Sequence, residues 1–146
     1  MKAFMLIGVI ILLQACSQTE QDVLNLNLQE YKSLALHIHP ELEIEVFGEK
    51  QIIPGNIGIS PEGMKAIHTH EPDRILHVES PYPHQFVIGD FFKIWGERFD
   101  SKCIFNLCED EGHELLVFVN GEQSDLYESI PLHDKDKIKI VYRERK

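Results

Sequence analysis

The sequence predicts an α+β fold in which a mixed sheet packs on one main helix. Apolar residues alternate with polar ones in several short segments, a single segment has helical spacing instead, and glycines and prolines separate these segments. The composition is 43% hydrophobic, which suits a packed core and argues against a disordered chain. We therefore predict a single domain over residues 36–146.

The first strand is predicted over residues 36–46. Even positions from Leu36 to Val46 are apolar, whereas odd positions carry histidine or glutamate. This alternation is typical of a strand with one buried and one solvent-exposed face. Residues 47–50 form a turn signal, and residues 51–53 return before a proline. A hairpin is expected here.

A second pair of strands is predicted at residues 66–70 and 75–79. The four residues between them have proline at the second position, which suits a turn. In a hairpin of this length His68 lies opposite His77, with their Cβ atoms ~5 Å apart.

The main helix is predicted over residues 86–95. Apolar residues at 87, 88, 91, 92 and 95 have helical spacing, and Gly96 marks the end of the helix. Two further strands are predicted at 114–121 and 137–142, separated by a turn at Asn120 and Gly121 and a connection over 126–135.

The order of these elements resembles a β-grasp layout. The segments VNGE and IPLHDKDKIKIVY are similar to the tail of ubiquitin-like sulfur carriers. Residues 143–146 read RERK where those carriers have Gly-Gly. The resemblance therefore implies a β-grasp-like mixed sheet on one main helix, without carrier chemistry.

Residues 1–15 are predicted to be a lipoprotein signal peptide. Lys2 precedes an apolar run that is about half the ~20 residues needed to cross a bilayer. Leu13-Gln14-Ala15-Cys16 is similar to the lipobox of bacterial lipoproteins, which are cut before the cysteine and carry lipid on its thiol. We expect lipid on Cys16, a tether over 16–35 and a place in the cell envelope, on the outer membrane facing the periplasm in a Gram-negative host. Plain secretion is the alternative.

The net charge narrows the possible partners. The formal net charge is −10, which repels nucleic acid and favours cations.

The cysteine content predicts a disulfide. With Cys16 lipidated, Cys103 and Cys108 remain as an even pair in an oxidising compartment. Use of these cysteines for soft-metal or redox chemistry is the alternative.

A histidine constellation is the candidate metal site. Alternation places His37 and His39 on the non-core face of their strand, and it places the histidines of the second hairpin on the non-core face as well. Neutral imidazoles ~5 Å apart can converge on Cu(II), Zn(II) or Ni(II), and a carboxylate can complete the shell or orient a ring. The affinity order favours copper, with zinc next. The predicted site residues are His37, His39, His68, His70, His77 and Glu79.

Two other interpretations of the same pattern remain open, a non-metal module and a zinc or copper enzyme, which would need an open coordination position and a substrate cleft. His-x-His is common on polar strands, so the histidines could simply be solvated, and the domain would then be a non-metal interaction module for an envelope protein. The sequence contains no G-x-S-x-G, P-loop or H-E-x-x-H motif, so we expect no catalysis. His84, His113 and His133 look like loop residues and are left out of the site.

The segments HIHPELEIEVFGE, IIPGNIGI, IHTHEPDRILHVESP, FVIGDFFKIWG and LLVFVNGE together resemble a family of small exported prokaryotic proteins. The resemblance covers roughly residues 36–142. It implies that the six site positions belong together, and it implies no reaction.

Overall fold

The computed structural model describes residues 23–146, so the predicted signal peptide and Cys16 lie outside the described residues. Within this part of the chain, a main helix and twelve short strands build an α+β fold, which confirms the predicted class. None of the helices in this part has the length and apolar character that crossing a bilayer requires.

The main helix, α1, spans Ile88–Trp95. The strands are β1 (Leu36–Ile38), β2 (Glu41–Val46), β3 (Glu49–Lys50), β4 (Ile59–Ser60), β5 (Gly63–Met64), β6 (Ile67–His68), β7 (His77–Ser80), β8 (Cys103–Ile104), β9 (Leu107–Cys108), β10 (His113–Val119), β11 (Glu122–Ser124) and β12 (Lys137–Glu144). Short 3-10 helices lie at Leu28–Glu30 and Tyr127–Ser129.

The larger sheet has five strands in the order β11-β10-β12-β2-β3. β12 runs parallel to β2, and the other neighbours are antiparallel. Phe47 and Gly48 turn the first hairpin, and Asn120 and Gly121 turn the second, with positive φ at all four residues. This geometry matches the natural twist of paired strands. Because the first turn needs only two residues, the return strand begins at Glu49 and not at the predicted residue 51.

The helix α1 packs into the core through Phe91 and Phe92, which are buried together with Leu42 and Ile140 of the sheet. It begins two residues later than predicted, because the Phe86 carbonyl accepts from the Leu132 N–H in an extended segment. The end of the helix is confirmed, since Gly96 takes the left-handed conformation, φ 83°, that glycine favours.

The predicted single strand over 36–46 is wrong. The chain forms β1 and β2 instead, and the two strands belong to different sheets. Pro40 lies between them and cannot donate to a strand ladder, although its carbonyl accepts from the Leu76 N–H. The break frees β1 to pair with β7, in a three-stranded sheet of order β1-β7-β6.

The predicted pairing of the second hairpin is confirmed, because β6 and β7 are antiparallel with His68 opposite His77. Its strands are shorter than predicted. Part of the predicted tether packs against the domain, since Val23 and Leu28 are buried. The β8–β9 hairpin carries a disulfide between Cys103 and Cys108.

Candidate metal centre

The three-stranded sheet brings five predicted histidines into one group, called here the histidine cluster: His37, His39, His68, His70 and His77. β7 is the central strand, so His77 lies between the histidines of β1 and β6. Its ring centroid is 4.7 Å from that of His39, 4.5 Å from that of His70 and 5.4 Å from that of His68. The cluster is therefore continuous, and His77 is its centre.

Two sets of three ligands exist within the cluster. His68, His70 and His77 form the inner triad, and His37, His39 and His77 form the outer triad. In each triad the three candidate nitrogens lie within 4.8 Å of one another. Nitrogens on one tetrahedral ion with bonds near 2 Å lie about 3.4 Å apart, so small ring rotations are enough to close either triad on an ion.

His68 is the most deeply placed ligand, with 0% exposure. Its Nδ1 lies 3.1 Å from the Lys65 carbonyl oxygen, so Nδ1–H donates there and the lone pair is on Nε2. Among the described residues this buried Nε2 has no hydrogen-bond partner. A histidine that binds metal through one nitrogen typically donates its other N–H to a carbonyl or carboxylate in this way.

The prediction that His68 faces the wet, non-core side is wrong. The segment around Gly58 covers it, and a Cβ at position 58 would lie 2.5 Å from the Ile67 oxygen and 3.2 Å from the His68 Cβ. With φ +72°, Gly58 also has a backbone conformation that favours glycine. The loop therefore needs glycine in order to lie this close to His68.

The environment keeps the central rings neutral. Burial, with help from nearby His70 and His77, outweighs the hydrogen bond to the Lys65 carbonyl and lowers the pKa of His68 to about 4. Burial also lowers the pKa of His77, with help from His70 and His39. Protons therefore compete little for these two ligands at neutral pH, which favours metal binding.

Glu79, also predicted as a site residue, lies beside His37 and belongs to neither triad. The two residues face each other across β1 and β7, with 3.2 Å between His37 Nε2 and Glu79 Oε1. When Nε2–H donates to the carboxylate, the lone pair of His37 is on Nδ1. Glu79 thus orients a candidate ligand, the second role that the sequence predicted for it.

The three histidines left out of the prediction lie outside both triads. His113 and His133 pair with Asp110 and Asp136, at 2.8 and 3.0 Å, and the His84 ring packs on Phe86. The sequence prediction missed Gly58 and the Lys65 carbonyl. Gly58, the second glycine in IIPGNIGI, was the available signal for the close loop, because no side-chain pattern marks a backbone acceptor.

A second cluster of titratable groups lies on the outer face of the five-stranded sheet and is called here the Glu43 network. The Glu43 carboxylate is 2.8 Å from Lys50, 3.0 Å from Arg74 and 3.3 Å from Lys139. Hydrogen bonding from Lys50, followed by Lys139 and Arg74, outweighs partial burial and lowers the pKa of Glu43 to about 2. The Glu43 carboxylate is therefore paired with cations of the protein itself.

Comparison with known proteins gives no matching family model, no similar curated protein and no similar solved structure. A functional assignment therefore depends on the geometry of the histidine cluster.

Proposed function

We propose that this protein binds one transition-metal ion at the inner triad, copper in preference to zinc, and serves in metal capture or handling in the cell envelope. The observation that carries the proposal is the buried Nε2 of His68, which has a fixed lone pair and no hydrogen-bond partner in residues 23–146. Such a group costs about 1–3 kcal/mol when it stays unsatisfied. A bound ion would satisfy it.

The donor set supports copper or zinc. Three neutral imidazoles suit both ions, and the affinity order of divalent metals places copper above zinc. Cys103 and Cys108 are joined to each other, so neither offers a thiolate. The net charge of −10 attracts cations in general, whereas the inner triad supplies the selectivity.

The cellular setting of the proposal comes from the sequence. The lipobox-like Leu-Gln-Ala-Cys predicts lipid on Cys16 and attachment to a membrane, which would hold the metal site at the envelope. We also propose that the five-stranded sheet with α1 is a β-grasp. The order β3-β2-β12-β10-β11, with parallel central strands and α1 between the two hairpins in the chain, supports this.

The test is metal stoichiometry. The purified chain with its disulfide formed is offered copper and zinc in equal amounts, dialysed and measured by elemental analysis. We expect one copper ion per chain in the wild type and none after His68→Ala or His70→Ala. His70 is exposed, so its substitution separates ligand loss from misfolding. His133→Ala, which removes an exposed histidine outside the cluster, is the control and retains the ion.

Two results would contradict the proposal. One is stoichiometric binding in a correctly folded His68→Ala variant, because the ion would then be held elsewhere. The other is a wild-type protein that retains no ion and melts at the same temperature with and without metal. That second result would favour the alternative, a non-metal module that binds an envelope protein.

A further inference from the structure

The two triads share one residue, His77, and this sharing limits how they can be used. A neutral imidazole carries a proton on one nitrogen and one lone pair on the other. His77 can therefore ligate an ion in the inner triad or in the outer triad, but not in both. Two complete triads in one cluster thus describe two alternative positions of a single ion.

The triads differ in exposure and charge. The His37 side chain is 53% exposed, whereas His68 is 0% exposed. The carboxylate of Glu79 lies 3.2 Å from His37, so a negative charge adjoins the outer triad. A hydrated cation that approaches the sheet is therefore attracted first to the outer position.

We propose that the outer triad is the uptake position, and that the ion moves from it to the inner triad by ligand exchange about His77. This inference rests on the proposed function, since it needs the inner triad to be the final site. Direct arrival at the inner triad past the exposed His70 is the competing route.

The exchange needs no other reactant. The bonds from the metal to His37 and His39 break, bonds to His70 and His68 form, and the bond to His77 is kept throughout. Each imidazole binds the metal through the lone pair of one nitrogen and keeps the N–H of the other. No proton or electron is therefore transferred, and the charge of the ion is unchanged. The short ring separations on both sides of His77, 4.7 Å to His39 and 4.5 Å to His70, allow each new bond to form before the old one is lost.

The experiment compares rates with affinities, using Cu²⁺ alone as the probe. Trp95 is the only tryptophan, and it follows Ile94, which packs with His68 against Gly58, so copper quenching of its fluorescence reports binding in a stopped-flow instrument. One variant is H37A/H39A, which removes two ligands of the outer triad. The other is His70→Ala, which removes one ligand of the inner triad, and His133→Ala is the matched control. Affinities come from competition with a chelator.

In H37A/H39A we expect both association and dissociation to slow by about tenfold or more, with Kd within about threefold of wild type, because a lost intermediate changes rates and not the end states. In His70→Ala we expect wild-type association, dissociation at least about a thousandfold faster and a correspondingly weaker Kd, because the inner triad loses one of its three ligands. Wild type and His133→Ala bind one ion.

Three outcomes would overturn the inference. Association in H37A/H39A within about twofold of wild type would show that the ion arrives directly. Two tightly bound ions per wild-type chain would show that the triads are independent sites. If the wild type takes up no copper, the proposed function fails together with the inference, whereas one retained ion with unchanged rates contradicts the inference alone.

Discussion

The histidine cluster and the Glu43 network are both groups of titratable side chains held together by a sheet, yet they are chemically opposite. Glu43 contacts three cationic side chains, and its hydrogen-bonding capacity is used within the fold. His68 has a buried Nε2 without a partner in the described chain. The difference teaches that residue type and proximity are not enough to indicate a ligand site. Unused bonding capacity is the additional requirement.

The two regions also differ in what they do for the metal-free protein. The Glu43 network stabilises the fold, because its carboxylate is charged and paired. The histidine cluster destabilises it, because His68 is buried with an unsatisfied acceptor, a cost of about 1–3 kcal/mol. Four measurements follow from this contrast, in order of decreasing size.

The largest effect is the loss of stability of the metal-free protein in mild acid. The pKa of His68 falls from its ordinary 6.5 to about 4 on folding, so between these values the unfolded chain binds more protons. With respect to His68, the free energy of unfolding has its full value above pH 6.5, and it declines by up to about 3 kcal/mol as the pH falls through about 4. Denaturant unfolding at several pH values would measure this.

His68→Gln removes the larger contribution and should reduce the slope between pH 6.5 and 4, and the remaining slope is expected from His77, whose pKa is also lowered. The Glu43 contribution belongs to a lower window, because its lowered pKa means that stability is lost as the pH falls from 4.5 towards 2. Equal slopes for wild type and His68→Gln above pH 4.5 would show that His68 is not the source.

The second effect is stabilisation by metal. Copper at a free concentration of 100 Kd should raise the free energy of unfolding by about 2.7 kcal/mol, because only the folded state binds it. Glu43→Gln should keep the whole increment, whereas His70→Ala should lose it. Thermal melts at pH 7.5 with and without copper would check this. A smaller increment in Glu43→Gln would mean that the two regions are coupled.

The third effect is the cost of neutralising Glu43. Glu43→Gln leaves Lys50, Arg74 and Lys139 without their shared carboxylate, and we expect a loss of about 1–2 kcal/mol at pH 7, discounted for partial solvent exposure. The loss should shrink in high salt. Chemical unfolding at two ionic strengths measures it, and a salt-independent loss would indicate a packing effect instead.

The smallest effect is the removal of one cation from the network. Lys50 is 67% exposed in its side chain, so Lys50→Met should cost less than about 0.5 kcal/mol and leave copper affinity unchanged. A cost above about 1 kcal/mol in the same unfolding measurement would mean that Lys50, and not the carboxylate, organises the network.

Much of the arrangement of strands could be predicted from local signals. The four-residue turn after His70 is enough to place His68 opposite His77, and the glycines at 96 and 121 mark the end of the helix and a hairpin. The break at Pro40 could have been predicted from the missing N–H, but the alternation around it favoured one strand.

The character of the site depends on contacts that have no sequence period. His68 is buried because the loop around Gly58, ten residues before it, folds back over the strand. Its lone pair is fixed by a backbone carbonyl, that of Lys65, which any residue type could have supplied. Alternation alone therefore identified the five histidines of the cluster but assigned the wrong environment to His68, its most deeply buried member.

The parallel pairing of β2 with β12 affects the order in which the molecule can be assembled. A chain that is synthesised or exported from its N-terminus presents β1, β6 and β7, all within residues 36–80, well before Lys137–Glu144 emerges. Such distant strands pair slowly, so the three-stranded sheet can form while the larger sheet still lacks its central strand. Under the proposed function, an ion bound at that stage would hold the early three-stranded sheet together, so the metal would assist folding before the larger sheet is complete.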